Sequence, residues 1–336
     1  MKLRRVWRRS PVNPSDRLEA ALEAIVREQP VDTVVGEMLA YHFGYNEGES
    51  PRRGKRLRPR LLLNVAEETG ASLEDGLDAA VAVEVLHNYS LIHDDIEDAD
   101  RFRHGRETLW AKYGIAQAIN AGDALCALSF LSLMRGARRF APERMILMVQ
   151  RLHLANLAMC HGQSLDIAFE SQPDVTAVRY LEMISGKTAA LFAVSSELGA
   201  LCAGLREEEV RRYRELGAAF GIAFQMYDDL LGVWADARAT GKTPGADIAR
   251  RKKTYPIVWA LDQEPSAART VIAAAFSGSE DLTPDAVAEV TAALDNLGAR
   301  EAARRAAAKH LAVVERAPSG RVRDFLLSLL PVAAPT

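Results

Sequence analysis

An Asp-Asp pair set inside an apolar stretch of helical periodicity occurs twice in this chain, at 94–95 in "LHNYSLIHDDIED" and at 228–229 in "FQMYDDLLG". Carboxylates that share a helical face repel one another and gain nothing from partial burial unless a cation sits among them. Asp94 and Asp98 are one turn apart and share a face, with Asp95 beside them; Gln225, Asp228 and Asp229 are related in the same way. Either cluster alone would read as a solvated helix face. The flanks argue otherwise, because Leu91 and Ile92 precede the first pair and Phe224, Met226, Tyr227, Leu230 and Leu231 surround the second. Two acid patches in apolar helices point inward, toward a shared polar cavity.

The fold around them is expected to be all-α. Apolar residues recur at helical spacing, as in Leu18, Leu22, Ile25 and Val26 and again in Leu77, Val81, Val85 and Tyr89, while β-branched alternation is scarce. Ser15 and Asp16 read as the cap of the first helix. Similar patterns run through 73–98, 107–134, 142–169, 174–203, 207–232, 247–262, 284–297 and 299–315. No βαβ pattern, repeat or internal linker interrupts them. The expected organisation is a basic tail over 1–14, one all-α domain over 15–330 and a short tail over 331–336.

Composition removes several classes. A net charge of −3 sets up no bulk field for nucleic acid or an acidic membrane. Cys126, Cys160 and Cys202 lie far apart with no CxxC pair, which argues against a disulfide framework or zinc site and fits a reducing, cytoplasmic setting. The basic start "MKLRRVWRRSPVNP" has no apolar segment after it, so it does not read as a secretory signal. The apolar run 189–205 is broken by Ser195, Ser196, Glu197 and Gly199, so no membrane span is expected there.

Hard divalent cations are held by oxygen, and Mg²⁺ commonly takes one or two carboxylates, waters and substrate phosphates. Two aspartate faces therefore suit Mg²⁺ bridged to a diphosphate. Cationic bursts near helix ends would contact the phosphate oxygens: Lys55, Arg56 and Arg58; Arg101, Arg103 and Arg106; Lys187; Lys242; and Arg250 to Lys253. Competing motifs fail. "GKT" occurs at 186–188 and 241–243, but a P-loop glycine is replaced by Leu181 and Asp236 and no strand precedes either. His153, Cys160 and His161 have no zinc spacing and read as helix packing.

With these residues assembled, the chain resembles the trans-prenyl diphosphate synthases of the polyprenyl synthetase family. The resemblance spans roughly 54–256 and is carried by "GKRLRP" (54–59), "LHNYSLIHDDIEDADRFRHG" (86–105), "NAGDAL" (120–125), "GQSLD" (162–166), "GKT" (186–188), "FQMYDD" (224–229) and "GKTPGADIARRK" (241–252). It implies a single-domain helical bundle around a deep central cavity, usually homodimeric. It assigns Mg²⁺ to Asp94, Asp98 and Asp228, with Asp95 and Asp229 in support. The allylic diphosphate falls to Arg103, Lys187, Thr188, Gln225 and Lys242, with Asp166 and Lys252 nearby. The diphosphate of isopentenyl diphosphate falls to Lys55, Arg58, His87 and the residue at 104. His87 lies two turns before Asp94 and so stays near the same face. The implied reaction ionises the allylic diphosphate, after which the alkene of isopentenyl diphosphate attacks the carbocation. In relatives the fourth and fifth residues before the first Asp help to form the floor of the chain tunnel. Here they are Ser90 and Tyr89, which resembles a C20-forming pattern, with C15 as the other option.

Two positions depart from the family pattern. Arg103-His104-Gly105 replaces Arg-Arg-Gly, and a histidine is only partly charged near neutrality, so isopentenyl diphosphate binding is expected to weaken. The second cluster reads Asp228-Asp229-Leu230-Leu231-Gly232 and lacks a third acid, for which Asp236 is the expected stand-in. These departures leave two further readings: a class I terpene synthase that cyclises one allylic diphosphate, and a non-catalytic partner subunit. The retained Lys55, Arg58 and His87 speak against the first, and the intact aspartates against the second.

Overall fold

The computed structural model describes residues 13–30, 33–46, 54–234, 244–278 and 280–330. Helices account for nearly all of the regular structure, as the periodicity predicts; among the described residues the strands are two-residue pieces forming one hairpin. The chain divides into two compact units, 1–149 with 201–203 and 150–200 with 204–336.

In the first unit α1 (Pro14–Arg27), α2 (Val34–Phe43), α3 (Leu57–Glu68), α4 (Leu73–Glu97), α5 (Leu109–Tyr113) and α6 (Ile115–Met134) pack around α4. The cap of α1 is Asn13, whose side chain accepts from the Ser15 amide; Ser15 and Asp16 lie inside the first turn, because Pro14 starts a helix well and needs no amide donor. α4 begins with a reciprocal cap, Ser72 and Asp75 each satisfying the other's backbone amide. It is apolar on nearly every side from Leu77 to Leu86, as a central helix must be. The expected helix over 107–134 is two helices, because Gly114 at φ 86° turns the chain between α5 and α6. α6 is long and apolar enough to cross a membrane by length and composition, yet Ala118, Ala121, Leu125 and Leu133 on one side are fully buried against its neighbours. The hairpin consists of β1 (Phe102–Arg103) and β2 (Arg106–Glu107), with Phe102 opposite Glu107 and Arg103 opposite Arg106. His104 and Gly105 at its tip both have positive φ, 53° and 76°, the conformation that a two-residue turn of matching twist requires.

α7 (Pro142–Ser171) runs from the first unit into the second. In the second unit the expected helix over 174–203 is interrupted: α8 (Ala177–Ile184) passes through a π turn (Ser185–Ala189) into α9 (Ala190–Cys202). α10 (Glu207–Trp234) packs along the helix Ala299–Glu315. The expected helix over 247–262 is two short pieces, Ala246–Ala249 and Tyr255–Leu261, separated by Arg251 in a left-handed conformation. Phe169, Tyr180, Met183, Ile184, Met226, Leu230, Tyr255, Val258, Ala303 and Ala307 form a core that carries the second acid cluster on its edge.

Candidate active site

In the first unit the segment Gly54-Lys55-Arg56 leads into α3, and Arg56 at its N-cap has φ 48°. That left-handed backbone turns the Arg56 side chain inward. Its Nε meets Glu19 Oε1 at 2.8 Å and its Nη1 meets Glu84 Oε1 at 2.6 Å, with all three side chains a tenth exposed or less. Arg56 is therefore held in an internal ion-pair network and is not a loop cation offered to a ligand, which corrects the reading of 55–58 as three equivalent cations. Lys55 remains exposed, and Arg58 is half-buried with Nη1 3.1 Å from His87 Nε2. A guanidinium only donates, so His87 Nε2 accepts and the ring proton sits on Nδ1. Burial, reinforced by the charges of Arg58, Arg103 and Arg56, keeps His87 neutral, its pKa well below the ordinary histidine value.

These residues line a cavity of about 550 Å³ together with Tyr41, His42, Asn88, Asp95, Arg103, His104 and Arg106. His42 was not legible in the sequence as a site residue. Its Nε2 lies 3.0 Å from Asn88 Oδ1, and Asn88 Nδ2 donates to the Glu84 backbone carbonyl at 2.8 Å, so a polar chain runs from α2 across α4. Asp94 is half-buried and Asp98, the C-cap of α4, is exposed, whereas Asp95 is only 3 % exposed. Arg103 Nε donates to Asp95 Oδ1 at 2.7 Å and its Nη2 lies 3.9 Å from Asp94 Oδ2. Burial lifts the Asp95 pKa to about 6 in spite of Arg103. Trp110 Nε1 and Thr108 Oγ1 both donate to the Asp100 carbonyl, at 2.9 and 2.8 Å, which anchors the segment that carries Arg103. Upstream, Tyr89 stacks edge-on against His93 at 4.9 Å, and Ser90 Oγ donates to the His87 carbonyl at 2.8 Å.

The second unit carries its own polar assembly. Gly162 of α7 and Gly186 of the π turn touch: the Cβ of an alanine at 186 would stand 3.0 Å from Gly162 Cα and 2.5 Å from the Ala158 carbonyl oxygen. This backbone approach brings Asp166 and Lys187 together, with Nζ donating to Oδ2 at 2.6 Å, and explains why "GQSLD" and "GKT" both need glycine. Thr188 Oγ1 donates to Gln225 Oε1 at 2.8 Å, and Gln225 Nε2 donates to Asp229 Oδ1 at 3.0 Å. Asp229 is 2 % exposed and also accepts from the Tyr180 hydroxyl (2.5 Å) and the Tyr255 amide (2.9 Å). Burial lifts its pKa to about 6 against the pull of Lys252 and these donors. Asp228, one residue earlier, is half-buried. Desolvation opposes the charge on Lys252, yet Asp166, Asp247, Asp229 and Asp228 outweigh it and hold the ammonium above the ordinary lysine range. Lys242 and Asp236 lie outside the described residues.

At Gly232, where the family resemblance predicts a third acid, an added Cβ would collide with the Asp247 carboxylate. Asp247 thus lies against α10 at the place of the missing side chain.

All-helical architecture, two aspartate clusters and cations gathered on each define the class. Residues 46–294 match the polyprenyl synthetase family. A geranylgeranyl diphosphate synthase of Mycobacterium tuberculosis is 36 % identical over 307 residues, covering 91 % of this chain and 86 % of that protein. A (2E,6E)-farnesyl diphosphate synthase of Mycobacterium bovis is 35 % identical over 287 residues, covering 84 % and 79 %. A polyprenyl synthetase structure from Streptomyces coelicolor superposes with TM-score 0.86 at 34 % identity, over 94 % of this chain and 96 % of that one. A polyprenyl synthase from Caulobacter crescentus, solved with calcium and isoprenyl diphosphate, superposes with TM-score 0.77 at 27 % identity over 95 % and 96 %. The chain belongs to the polyprenyl synthetase family and is an enzyme of the trans-prenyl diphosphate synthase type.

Proposed function

We propose that the protein condenses isopentenyl diphosphate head-to-tail with an allylic prenyl diphosphate and releases an all-trans product of 20 or 15 carbons. One observation carries this reading: each unit, taken by itself, holds an assembly of cations suited to a diphosphate. In the first, the cations Lys55 and Arg58, with neutral His87 beside them, would receive isopentenyl diphosphate. In the second, Lys187, Thr188, Gln225 and Lys252 line a smaller cleft with Asp166 and Asp229. These groups would take the allylic diphosphate, and by the family resemblance Arg103 of the first unit and Lys242, outside the described residues, are further candidates for it. A cyclase that uses one diphosphate has no need of the first set. Relatives of both product lengths resemble the chain to the same degree, so C20 over C15 rests on Tyr89 and Ser90.

The donor set fits Mg²⁺. Asp94 is half-buried and Asp98, one turn on, is exposed, so hard carboxylate oxygens are offered to an ion that also keeps waters and binds substrate phosphate. By the family resemblance, Asp94 and Asp98 would hold Mg²⁺ in the first unit and Asp228 in the second. Bound Mg²⁺ would supply the positive charge that stabilises the departing diphosphate. Lys187, paired with Asp166, and Gln225, oriented by Thr188 and Asp229, fix the allylic diphosphate as its carbon–oxygen bond breaks. Arg58 and neutral His87 orient isopentenyl diphosphate so that its terminal alkene carbon attacks the allylic carbocation. A proton then leaves the adjacent carbon to the released diphosphate, and apolar walls keep water from the cation.

A homodimer belongs to the same proposal. α6 leaves Ile115, Ile119 and Met134 exposed along one stripe, a surface that a second copy would cover.

The test is incubation with Mg²⁺ and dimethylallyl, geranyl or farnesyl diphosphate, with and without isopentenyl diphosphate, followed by mass analysis of the dephosphorylated products. A prenyl alcohol five or more carbons longer, formed only with isopentenyl diphosphate, is expected. A cyclic hydrocarbon from the allylic substrate alone would replace this reading with that of a cyclase.

A further inference from the structure

His104 stands where the family pattern has a second arginine, and the structure offers another guanidinium nearby. The two-residue turn at His104-Gly105 makes Arg103 and Arg106 direct cross-strand partners, so their side chains leave the same face of the hairpin. Arg103 is engaged by Asp95 on that face. Like charges directly opposite one another destabilise a strand pair unless an anion joins them. Both His104 and Arg106 line the cavity that contains Lys55, Arg58 and His87, but His104 is exposed at the tip whereas Arg106 is half-buried.

Arg106 is also held in place. Its guanidinium carbon lies 4.3 Å from the centroid of the Tyr41 ring, and Lys112 Nζ lies 3.8 Å from the same centroid. The Tyr41 hydroxyl donates to the Glu107 carbonyl at 3.0 Å, which ties the ring to β2 directly beneath Arg106. At the back of the cavity, burial and then the charges of Arg103, Arg56 and Arg106 bring the pKa of His42 down to about 4, in keeping with the place of Arg106 in the same cavity wall.

Resting on the condensation reading above, we infer that Arg106, and not His104, supplies the second hairpin cation that grips the diphosphate of isopentenyl diphosphate in this chain. A guanidinium presents a fixed fork to phosphate oxygens and stays charged at every pH at which the enzyme works, so the substitution at 104 need not weaken the site.

The experiment compares Arg106→Gln, Arg106→Lys, His104→Ala and the double variant Arg106→Gln/His104→Arg in steady-state kinetics. Arg106→Gln should raise KM for isopentenyl diphosphate roughly 10- to 100-fold, the scale of one charged hydrogen bond. KM for the allylic substrate should stay within about twofold, which also reports that the variant is folded. Arg106→Lys should recover part of the loss, the double variant most of it, and His104→Ala should cost less than about threefold. An unchanged KM in Arg106→Gln, or an equal loss in His104→Ala, would overturn the assignment. Calorimetric titration of isopentenyl diphosphate into the metal-free full chain separates the two readings. If the wild type makes no elongated product, the condensation reading falls, and weaker binding by Arg106→Gln than by His104→Ala still upholds Arg106. Equal binding by the two variants, or none by the wild type, rejects it.

Discussion

The Tyr180 hydroxyl donates to Asp229 Oδ2 at 2.5 Å, in a pocket where the tyrosine is 1 % and the aspartate 2 % exposed. That bond and the Tyr255 amide occupy one carboxylate oxygen, which leaves the other for Gln225. Tyr180→Phe removes one donor from a buried carboxylate and should destabilise the protein by about 1–3 kcal/mol. Chemical denaturation measures it. A midpoint equal to that of the wild type would mean that the remaining donors suffice.

Gly162 and Gly122 both lie where a Cβ would collide, but with different atoms. At 162 the obstacle is backbone, the Lys187 amide and the Met183 carbonyl; at 122 it is the His93 ring, which can swing away. Gly162→Ala should displace the π turn, part Lys187 from Asp166 and cost more than ~2 kcal/mol together with most of the activity. Gly122→Ala should be the milder change. Thermal unfolding and product formation on both variants test the order, and the reverse ranking would show that the α7 contact is softer than its geometry implies.

Restoring the third acid should harm this enzyme. Gly232→Asp would push the Asp247 carboxylate off α10 and set two like charges together, one turn from Asp228. A stability loss on the order of 1 kcal/mol is expected, relieved in Gly232→Asp/Asp247→Gly. The denaturation midpoints of the two variants decide it, and additive losses would disprove the spatial exchange.

His42 gives a pH dependence of definite sign. Its folded pKa, brought down by burial to about 4 despite the Asn88 bond, lies below the ordinary 6.5. The folded chain therefore binds this proton less tightly than the unfolded one, and the residue's contribution to stability, complete above pH 6.5, is lost as the pH falls toward 4. Between pH 7 and 4 the stability of His42→Gln should improve relative to wild type by up to roughly 3 kcal/mol. Urea midpoints across that range report it; a constant difference would place the proton elsewhere.

Local rules made much of this protein readable. Helical periodicity marked the long helices, with Pro284–Leu297 and Ala299–Glu315 recovered to the residue, because an amphipathic helix writes its buried face at a fixed spacing. The aspartate clusters were equally plain, since several carboxylates held in apolar surroundings require cations to offset their repulsion and lost hydration. Less visible were short elements without a full period, such as α2 and the 102–107 hairpin, and the breaks at Gly114 and Arg251, where one positive φ ends a pattern that reads as continuous.

What only tertiary structure decided is which charges face a ligand and which face the protein. Lys55, Arg56 and Arg58 look alike along the chain, yet a left-handed backbone at Arg56 sends its guanidinium to Glu19 and Glu84, from helices far away in sequence. Asp236, the expected stand-in for the missing acid at 232, lies outside the described residues, while the Asp247 carboxylate lies against that position, which no spacing announces. His42 entered the cavity through a contact with Asn88 that no spacing announces, and Arg106, one of the cations the sequence offered, is held in place there by the Tyr41 ring. Residue type and periodicity set the helices and the chemistry available to them; the direction of each charge depends on burial and on partners remote in sequence, and those exist only once the helices have packed.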